Sequence, residues 1–182
     1  MAVPPLCDFG WKARDFDLTG VNSRRYSLAD IRGPKGVLIM FICNHCPYVK
    51  SVAPRIARDA AALREFGIGV AGINANDSER YPADSFENMK GFATEHGFGF
   101  PYLYDESQDV ARAYDAVCTP DFFGFNADLE LQYRGRLDES RTAAVEGAKR
   151  ELYEAMCLVA ETGRGPKEQL ASMGCSIKWK AV

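Results

Sequence analysis

Two apolar runs, "GVLIMFIC" (residues 36–43) and "IGVAGINAN" (residues 68–76), stand on either side of a helical pattern. Each run is continuous rather than alternating, as in a strand buried on both faces. Between them Val49, Val52, Ile56, Ala60, Leu63 and Phe66 recur every third or fourth residue and make one apolar face. Pro47 suits the first helical turn, where no backbone N–H is needed, and Gly67 supplies the stop. Pro54 lies inside the pattern and is expected to kink the helix, because it removes a donor. Strand, helix and strand in this order predict a right-handed βαβ unit with a parallel pair.

Upstream, "DFDLTGVNSRRYSL" reads as a hairpin turning at Gly20 and Asn22. Downstream, Asp84 and Glu87 resemble a capping box opening a second helix, with Phe86, Met89, Phe92 or Ala93, and His96 on its inner face. "FPYLYD" is a short strand and "SQDVARAYDA" a short helix. "DFFGFNADLELQYRGRL" reads as two antiparallel strands joined at residues 126–128. A final helix is expected to carry Val145, Ala148, Leu152, Met156 and Val159 on one face and to end near Gly163. The tail, about residues 164–182, shows no period. The whole is an α/β arrangement with a mixed sheet.

A length of 182 residues is that of one domain, and 47% apolar with 12% aromatic residues suffices for a sizeable core. The net charge of −3 comes without a basic stripe interleaved with aromatics, so no nucleic-acid partner is expected. Arg24 and Arg25 read as a solvated strand face. The N-terminus has no cationic start followed by an apolar core, so no secretory signal is expected. No apolar run approaches the roughly 20 residues of a membrane helix, so no membrane partner is expected. The expected compartment is the cytoplasm, where the six cysteines stay mostly reduced. There a C-x-x-C points to redox chemistry or metal rather than to a structural crosslink.

That C-x-x-C is Cys43-Asn44-His45-Cys46, directly before Pro47. Cys46 is therefore placed at or next to the helix N-cap, with Cys43 at the strand end. Free N–H groups and the partial positive charge of a helix N-terminus stabilise a thiolate and lower thiol pKa values to roughly 3.5–7.5. A bend at Asn44-His45 brings the sulfurs within reach, since a disulfide needs Cα atoms roughly 4.4–6.8 Å apart. Asn suits such a bend because it tolerates left-handed backbone angles. His45 either lowers a thiol pKa, binds metal or is a packed ring. The plainer reading of the pair is two buried thiols packed as small hydrophobes.

The element order and the stretch "MFICNHCPYVK" resemble the thioredoxin superfamily, specifically its peroxiredoxin-like branch, the alkyl hydroperoxide reductase/thiol-specific antioxidant and redoxin family. "DFDLTGVNSRRYSLADIRGPKGVLIMF" is similar to that branch's N-terminal hairpin and first core strand. "VCTPDFF" resembles the loop bearing the superfamily's cis-proline, here Thr119-Pro120. The resemblance runs from about Asp15 to the final helix. It implies a thioredoxin-like fold: a mixed central sheet flanked by helices, with the hairpin (about residues 15–30) as an extension, in a single domain of residues 1–182.

The resemblance also assigns roles. Counting from Phe41 makes Cys46 the nucleophile. The usual second cysteine falls at Val49, as does the peroxidatic cysteine of the T-x-x-C motif, whose threonine is Cys46 here. Cys43 is then the nearest resolving thiol. Cys118 directly precedes Thr119-Pro120, in the loop that faces the nucleophile and whose residue before the proline offers its backbone to a substrate strand. Cys175, in the tail, is a distant resolving candidate. Cys7 and Cys157 are expected to be inert, Phe122 and Phe123 to be core, and Asp77, Arg136 and Arg141 to be solvated loop charges rather than site residues.

Three functions follow. The first is a thiol–disulfide oxidoreductase acting on disulfide-containing proteins and recharged by a cellular dithiol, with no cofactor. The second is a non-standard thiol peroxidase with antioxidant activity, in which a Cys46 sulfenic acid is resolved by Cys43, Cys118 or Cys175 after reaction with a small peroxide. The third is a Cys/His metal-binding or redox-sensing module. For that, Cys43, His45 and Cys46 are one ligand short of a closed zinc site unless Cys118 or Cys175 joins them.

Overall fold

The computed structural model describes residues 1–181. β1 (Asp17–Gly20) and β2 (Arg25–Ser27) form the expected hairpin, with Leu18 opposite Tyr26. A one-turn helix, α1 (Leu28–Ile31), follows, closed by a capping box between Ser27 and Asp30. Then come β3 (Gly36–Phe41), α2 (Pro47–Glu65), β4 (Ile68–Asn74), a 3₁₀ turn at Pro82–Asp84 and α3 (Phe86–Glu95). The second half holds β5 (Tyr102–Tyr104), α4 (Asp109–Ala113), β6 (Cys118–Thr119), β7 (Asp121–Asn126), β8 (Leu131–Tyr133), α5 (Glu151–Thr162) and β9 (Cys175–Ser176).

One ladder runs β2-β1-β5-β4 and another β3-β7-β8. They meet along β3 and β4, where Lys35 N–H donates to Gly67 O and Ile42 N–H to Ile73 O, both at 3.0 Å. The two numbers rise together, so β3 and β4 run parallel, as the βαβ pattern requires. β5 is parallel to β4, while β7 is antiparallel to β3 and to β8. The sheet is mixed, with helices on both faces.

Every residue of β3 is buried, and its side chains alternate between two cores. Leu38, Met40 and Ile42 join Val49, Val52, Ile56 and Leu63 of α2, Met89 of α3 and Met156 of α5. Val37, Ile39 and Phe41 join Leu28, Ile31, Leu103, Tyr114, Phe123 and Phe125 on the other side. Close approach at β4 requires a glycine: a Cβ on Gly69 would lie 1.8 Å from the Ile31 carbonyl oxygen.

Several expectations are corrected. α2 stays continuous through Pro54, which faces solvent, so the missing donor does not end the helix. Phe66 lies past the end of α2, is 38% exposed and meets Tyr153 edge-on instead of joining the core. Ser85, not Asp84, caps α3, its side chain accepting from Asn88 N–H, and His96 ends the helix, only partly buried against Phe92. α5 begins only at Glu151, because Gly147 takes φ +70°, which no right-handed helix accommodates. Val145 and Ala148 therefore lie in the preceding loop, with Val145 exposed. The tail is ordered despite its missing period: β9 pairs antiparallel with β6, Thr119 opposite Cys175 and Cys118 opposite Ser176.

The face of α2 gives a test. Ile56→Ala is expected to lower stability by about 2–5 kcal/mol in urea unfolding, since it leaves a cavity in the first core. Phe66→Ala, at a position the periodicity places on the same face, is expected to cost less than about 1 kcal/mol. Equal losses would contradict this placement of the helix.

Candidate active site

β3 ends at Phe41, the chain bends at Asn44 and His45, and Cys46 becomes the N-cap of α2 in extended conformation. Asn44 does not use left-handed angles for this bend. Hydrogen bonds hold it instead: its N–H donates to Asp84 Oδ1 at 2.7 Å, its Nδ2 to Ala83 O at 2.9 Å, and its Oδ1 accepts the Tyr102 hydroxyl at 2.9 Å. His45 Nδ1 lies 2.5 Å from Asp84 Oδ2, and its ring stacks on Tyr81 with centroids 5.6 Å apart. Asn76, just past β4, adds its Nδ2 to Asp84 Oδ2 at 2.7 Å. Asp84 is completely buried.

The opposite wall is the loop around the cis Thr119-Pro120 bond, as the resemblance led us to expect. Thr119 reaches both sulfurs: its hydroxyl is 3.2 Å from Cys43 Sγ and its carbonyl oxygen 3.1 Å from Cys46 Sγ. The loop is pinned from behind by a buried pair in which Arg134 Nη2 lies 3.1 Å from Asp121 Oδ2. The same nitrogen donates to Asp115 O, and Asp121 accepts the Val117 N–H. Such a pair positions more than it stabilises, because desolvation offsets much of the attraction.

These surroundings set the thiols apart. The Cys46 thiol is lowered to about 4. The main cause is the Cys43 thiol, which hydrogen-bonds to the Cys46 sulfur; burial opposes it. The Cys175 thiol and backbone N–H also favour the anion. Val49 N–H contributes least, being engaged with the Cys46 carbonyl at 3.0 Å. A Cys46 thiol would donate to Thr119 O and a thiolate has no proton for it, so the thiol and N–H donors outweigh this one carbonyl. Cys43 is raised well above the ordinary thiol range because its proton is held against Cys46, with burial and the Asp84 charge adding to this. Cys175 is pushed up to about 11, mainly by burial and then by its bond to Cys46.

The structure thus gathers Cys43, Thr119 and Cys175 around the Cys46 sulfur, with Pro120 in the facing loop, while His45 is turned to Asp84 and Tyr81. Cys118 sits beside them but turns away, donating to Pro120 O at 3.4 Å, and burial raises it strongly. Cys7 and Cys157 are also raised by burial. Asp77 is buried rather than solvated and accepts from Glu79 and Arg80 N–H groups. Arg136 pairs with Glu151, and the Arg141 carbonyl accepts from Ser51. Asp84, Asn76, Tyr81 and Tyr102 did not stand out in the sequence. The signal for Asp84 was Ser85, which caps the helix and leaves the preceding carboxylate free for other work.

Cys43, His45 and Asp84 offer donor atoms within 4.8 Å of one another, the one such cluster among the described residues. Both Asp84 oxygens already accept N–H groups, and Cys118 and Cys175 stand outside the cluster. Three donors are one short of the four that a closed zinc site takes. The set is organised for hydrogen bonding and thiol chemistry.

A model of the AhpC/TSA family matches residues 9–135. Among solved structures, an uncharacterized conserved protein from Geobacillus kaustophilus is 44% identical, with a TM-score of 0.93 covering 100% of this chain and 97% of that one. A hypothetical protein from Sinorhizobium meliloti is 33% identical, with a TM-score of 0.95 covering 100% of both chains. A curated relative, the thiol-disulfide oxidoreductase ResA of Geobacillus thermodenitrificans, is 26% identical over 114 residues, 63% of this chain. The match spans 61% of that relative's own length.

A thiol lowered to about 4 is anionic at every higher pH. Labelling of Cys46 by limiting iodoacetamide, mapped by peptide mass, is expected to hold a plateau from about pH 6 to pH 8 and to fall on acidification through about pH 4. The plateau height reports access, and the midpoint reports the thiolate. A rate still climbing between about pH 7 and 9, as for an ordinary thiol, would contradict the assignment.

Proposed function

Because the chain belongs to the AhpC/TSA family and carries a thioredoxin-like fold, we propose that it is a thiol–disulfide oxidoreductase with Cys46 as nucleophile and Cys43 as its redox partner. The observation that carries this reading is the Cys46 sulfur at the N-cap of α2, held as an anion by its neighbours and 3.1 Å from the Thr119 carbonyl. No helix among the described residues is long and apolar enough to cross a membrane.

Cys46 thiolate attacks one sulfur of a substrate disulfide. The other substrate sulfur leaves as thiolate and takes up a proton, so a mixed disulfide joins Cys46 to the substrate. Cys46 no longer carries charge, which removes the largest cause holding the Cys43 proton. Cys43 then attacks the Cys46 sulfur and releases the second substrate thiol. The resulting Cys43–Cys46 disulfide is reduced by a cellular dithiol. Val49, standing where the family's peroxidatic cysteine falls, supports disulfides over peroxides as substrates. The reading treats residues 1–182 as one domain working in the cytoplasm, for which the support is a set of six cysteines suited to a reducing compartment.

Reduction of insulin disulfides driven by a dithiol tests this. Cys46→Ser is expected to lower turnover by about 10³-fold or more, as for loss of a nucleophile. Cys43→Ser is expected still to form the mixed disulfide at Cys46 but to turn over more slowly, because the Cys43–Cys46 disulfide can no longer form. Hydrogen peroxide consumption, measured in parallel, is expected to stay well below disulfide turnover. Faster peroxide consumption, or undiminished turnover in Cys46→Ser, would overturn the proposal.

A further inference from the structure

Cys43 and Cys46 have no exposed surface. An external dithiol therefore has no path to the disulfide they form while the site is closed. The lid is the chain's own tail. β9 lies antiparallel on β6 with Cys175 directly opposite Thr119, the residue whose carbonyl faces the Cys46 sulfur. Cys175 itself is only half-buried. Among the six thiols, it is the one that both adjoins Cys46 and retains exposed surface.

The tail is docked mainly through its backbone. Ile177 N–H donates to Val117 O at 3.3 Å, Lys178 N–H to Asn76 Oδ1 at 2.8 Å, and Lys180 N–H to Gln108 Oε1 at 2.9 Å. Gly174 exchanges hydrogen bonds with Ala2, at 2.8 and 3.1 Å. Ile177 is buried in the second core, and Arg112 lies 4.5 Å over the Trp179 ring. Lys178 lies 5.7 Å from the centre of the Tyr81 ring, which in turn stacks on His45. The β9 pairing itself spans only two residues, and Ile177 with the hydrogen bonds of Lys178 and Lys180 anchors the segment beyond it.

We propose that Cys175 is a third redox thiol of the cycle, which takes the disulfide from the sealed Cys43–Cys46 pair and presents it to an external dithiol at its own exposed surface. The proposal rests on the oxidoreductase reading above. In the first step the Cys175 thiolate attacks the Cys46 sulfur of the Cys43–Cys46 disulfide; the Cys46–Cys175 bond forms, and Cys43 leaves and is protonated. The proton lost by Cys175 balances the one gained by Cys43. In the second step a thiol of the external dithiol attacks Cys175, Cys46 leaves as its stabilised thiolate, and the second external thiol closes its own disulfide while releasing Cys175. In the oxidised pair Cys46 carries no charge, which removes two of the causes that hold the Cys175 proton. The tail thus occupies the edge of β6 as an extended, cysteine-bearing strand, the form in which a polypeptide substrate would enter.

The test is disulfide mapping on the full chain. The protein is treated with limiting oxidised glutathione, quenched in acid, alkylated and mapped by peptide mass. In the unsubstituted chain both Cys43–Cys46 and Cys46–Cys175 links are expected. Cys43→Ser is expected to accumulate the Cys46–Cys175 link. Cys175→Ser is expected to accumulate the Cys43–Cys46 link, with its reduction by dithiothreitol slowed about tenfold or more, because the buried pair then has no exposed thiol to pass its disulfide to. The proposal is overturned if Cys43→Ser yields only a glutathione adduct on Cys46 and Cys175→Ser is reduced at the unsubstituted rate. In that case Cys46 still captures the oxidant and the oxidoreductase reading stands. A Cys46 that takes up no glutathione at all would instead overturn both.

Discussion

Asp84 receives the Asn44 N–H at 2.7 Å, His45 Nδ1 at 2.5 Å and Asn76 Nδ2 at 2.7 Å, with no exposed surface of its own. A carboxylate removed from water costs several kcal/mol unless its oxygens are filled, and here both are. The groups that fill it come from the C-x-x-C bend and from the end of β4, while Asp84 itself sits just before α3. One buried charge therefore fastens three segments that are distant in sequence. It also holds residues 44–45 in the one path that turns Cys43 and Cys46 toward the same neighbour. Removing any donor would leave one of those oxygens less well satisfied.

The second wall answers the first. Thr119 offers its hydroxyl to Cys43 and its carbonyl to Cys46, while Arg134 and Asp121 hold the loop from behind. Between the walls the two thiols are pushed apart: Cys43 is raised above the ordinary thiol range and Cys46 lowered below it. A stabilised thiolate is a good leaving group as well as a nucleophile, so a disulfide that includes Cys46 exchanges readily in either direction. The cost is access. The hydrogen bonds that favour the anion come partly from Cys175, so the strand that tunes the nucleophile also covers it.

The central elements were legible because their signals are local. The continuous run of β3 and the threefold and fourfold spacing of α2 each name their own structure, and Pro47 marks where one becomes the other. This placed Cys46 at the helix cap before any coordinates. The hairpin turn and the two strands around residues 126–128 were equally local. What remained hidden depends on partners far along the chain. Asp84 looks like a cap residue until Ser85 takes that place. The tail is held by irregular bonds to Asn76, Gln108 and Val117 and by the apolar anchors Ile177 and Trp179, too short a run to stand out as a period. Val145 and Ala148 continue the spacing of α5, but Gly147 between them has left-handed angles that no count of apolar positions reveals.

The central claim is that one sulfur, Cys46, opens the reaction. It is tested most directly by a single-turnover trap in the Cys43→Ser/Cys175→Ser chain, where neither neighbouring thiol can resolve the product. Mixing this chain with excess bis(carboxynitrophenyl) disulfide should release its first nitrothiobenzoate from Cys46, more slowly than the unsubstituted chain because Cys43 and Cys175 no longer favour the thiolate. Intact and peptide mass should then show a single stable adduct on Cys46. A first adduct on Cys118, Cys7 or Cys157 while the chain remains folded would contradict the account.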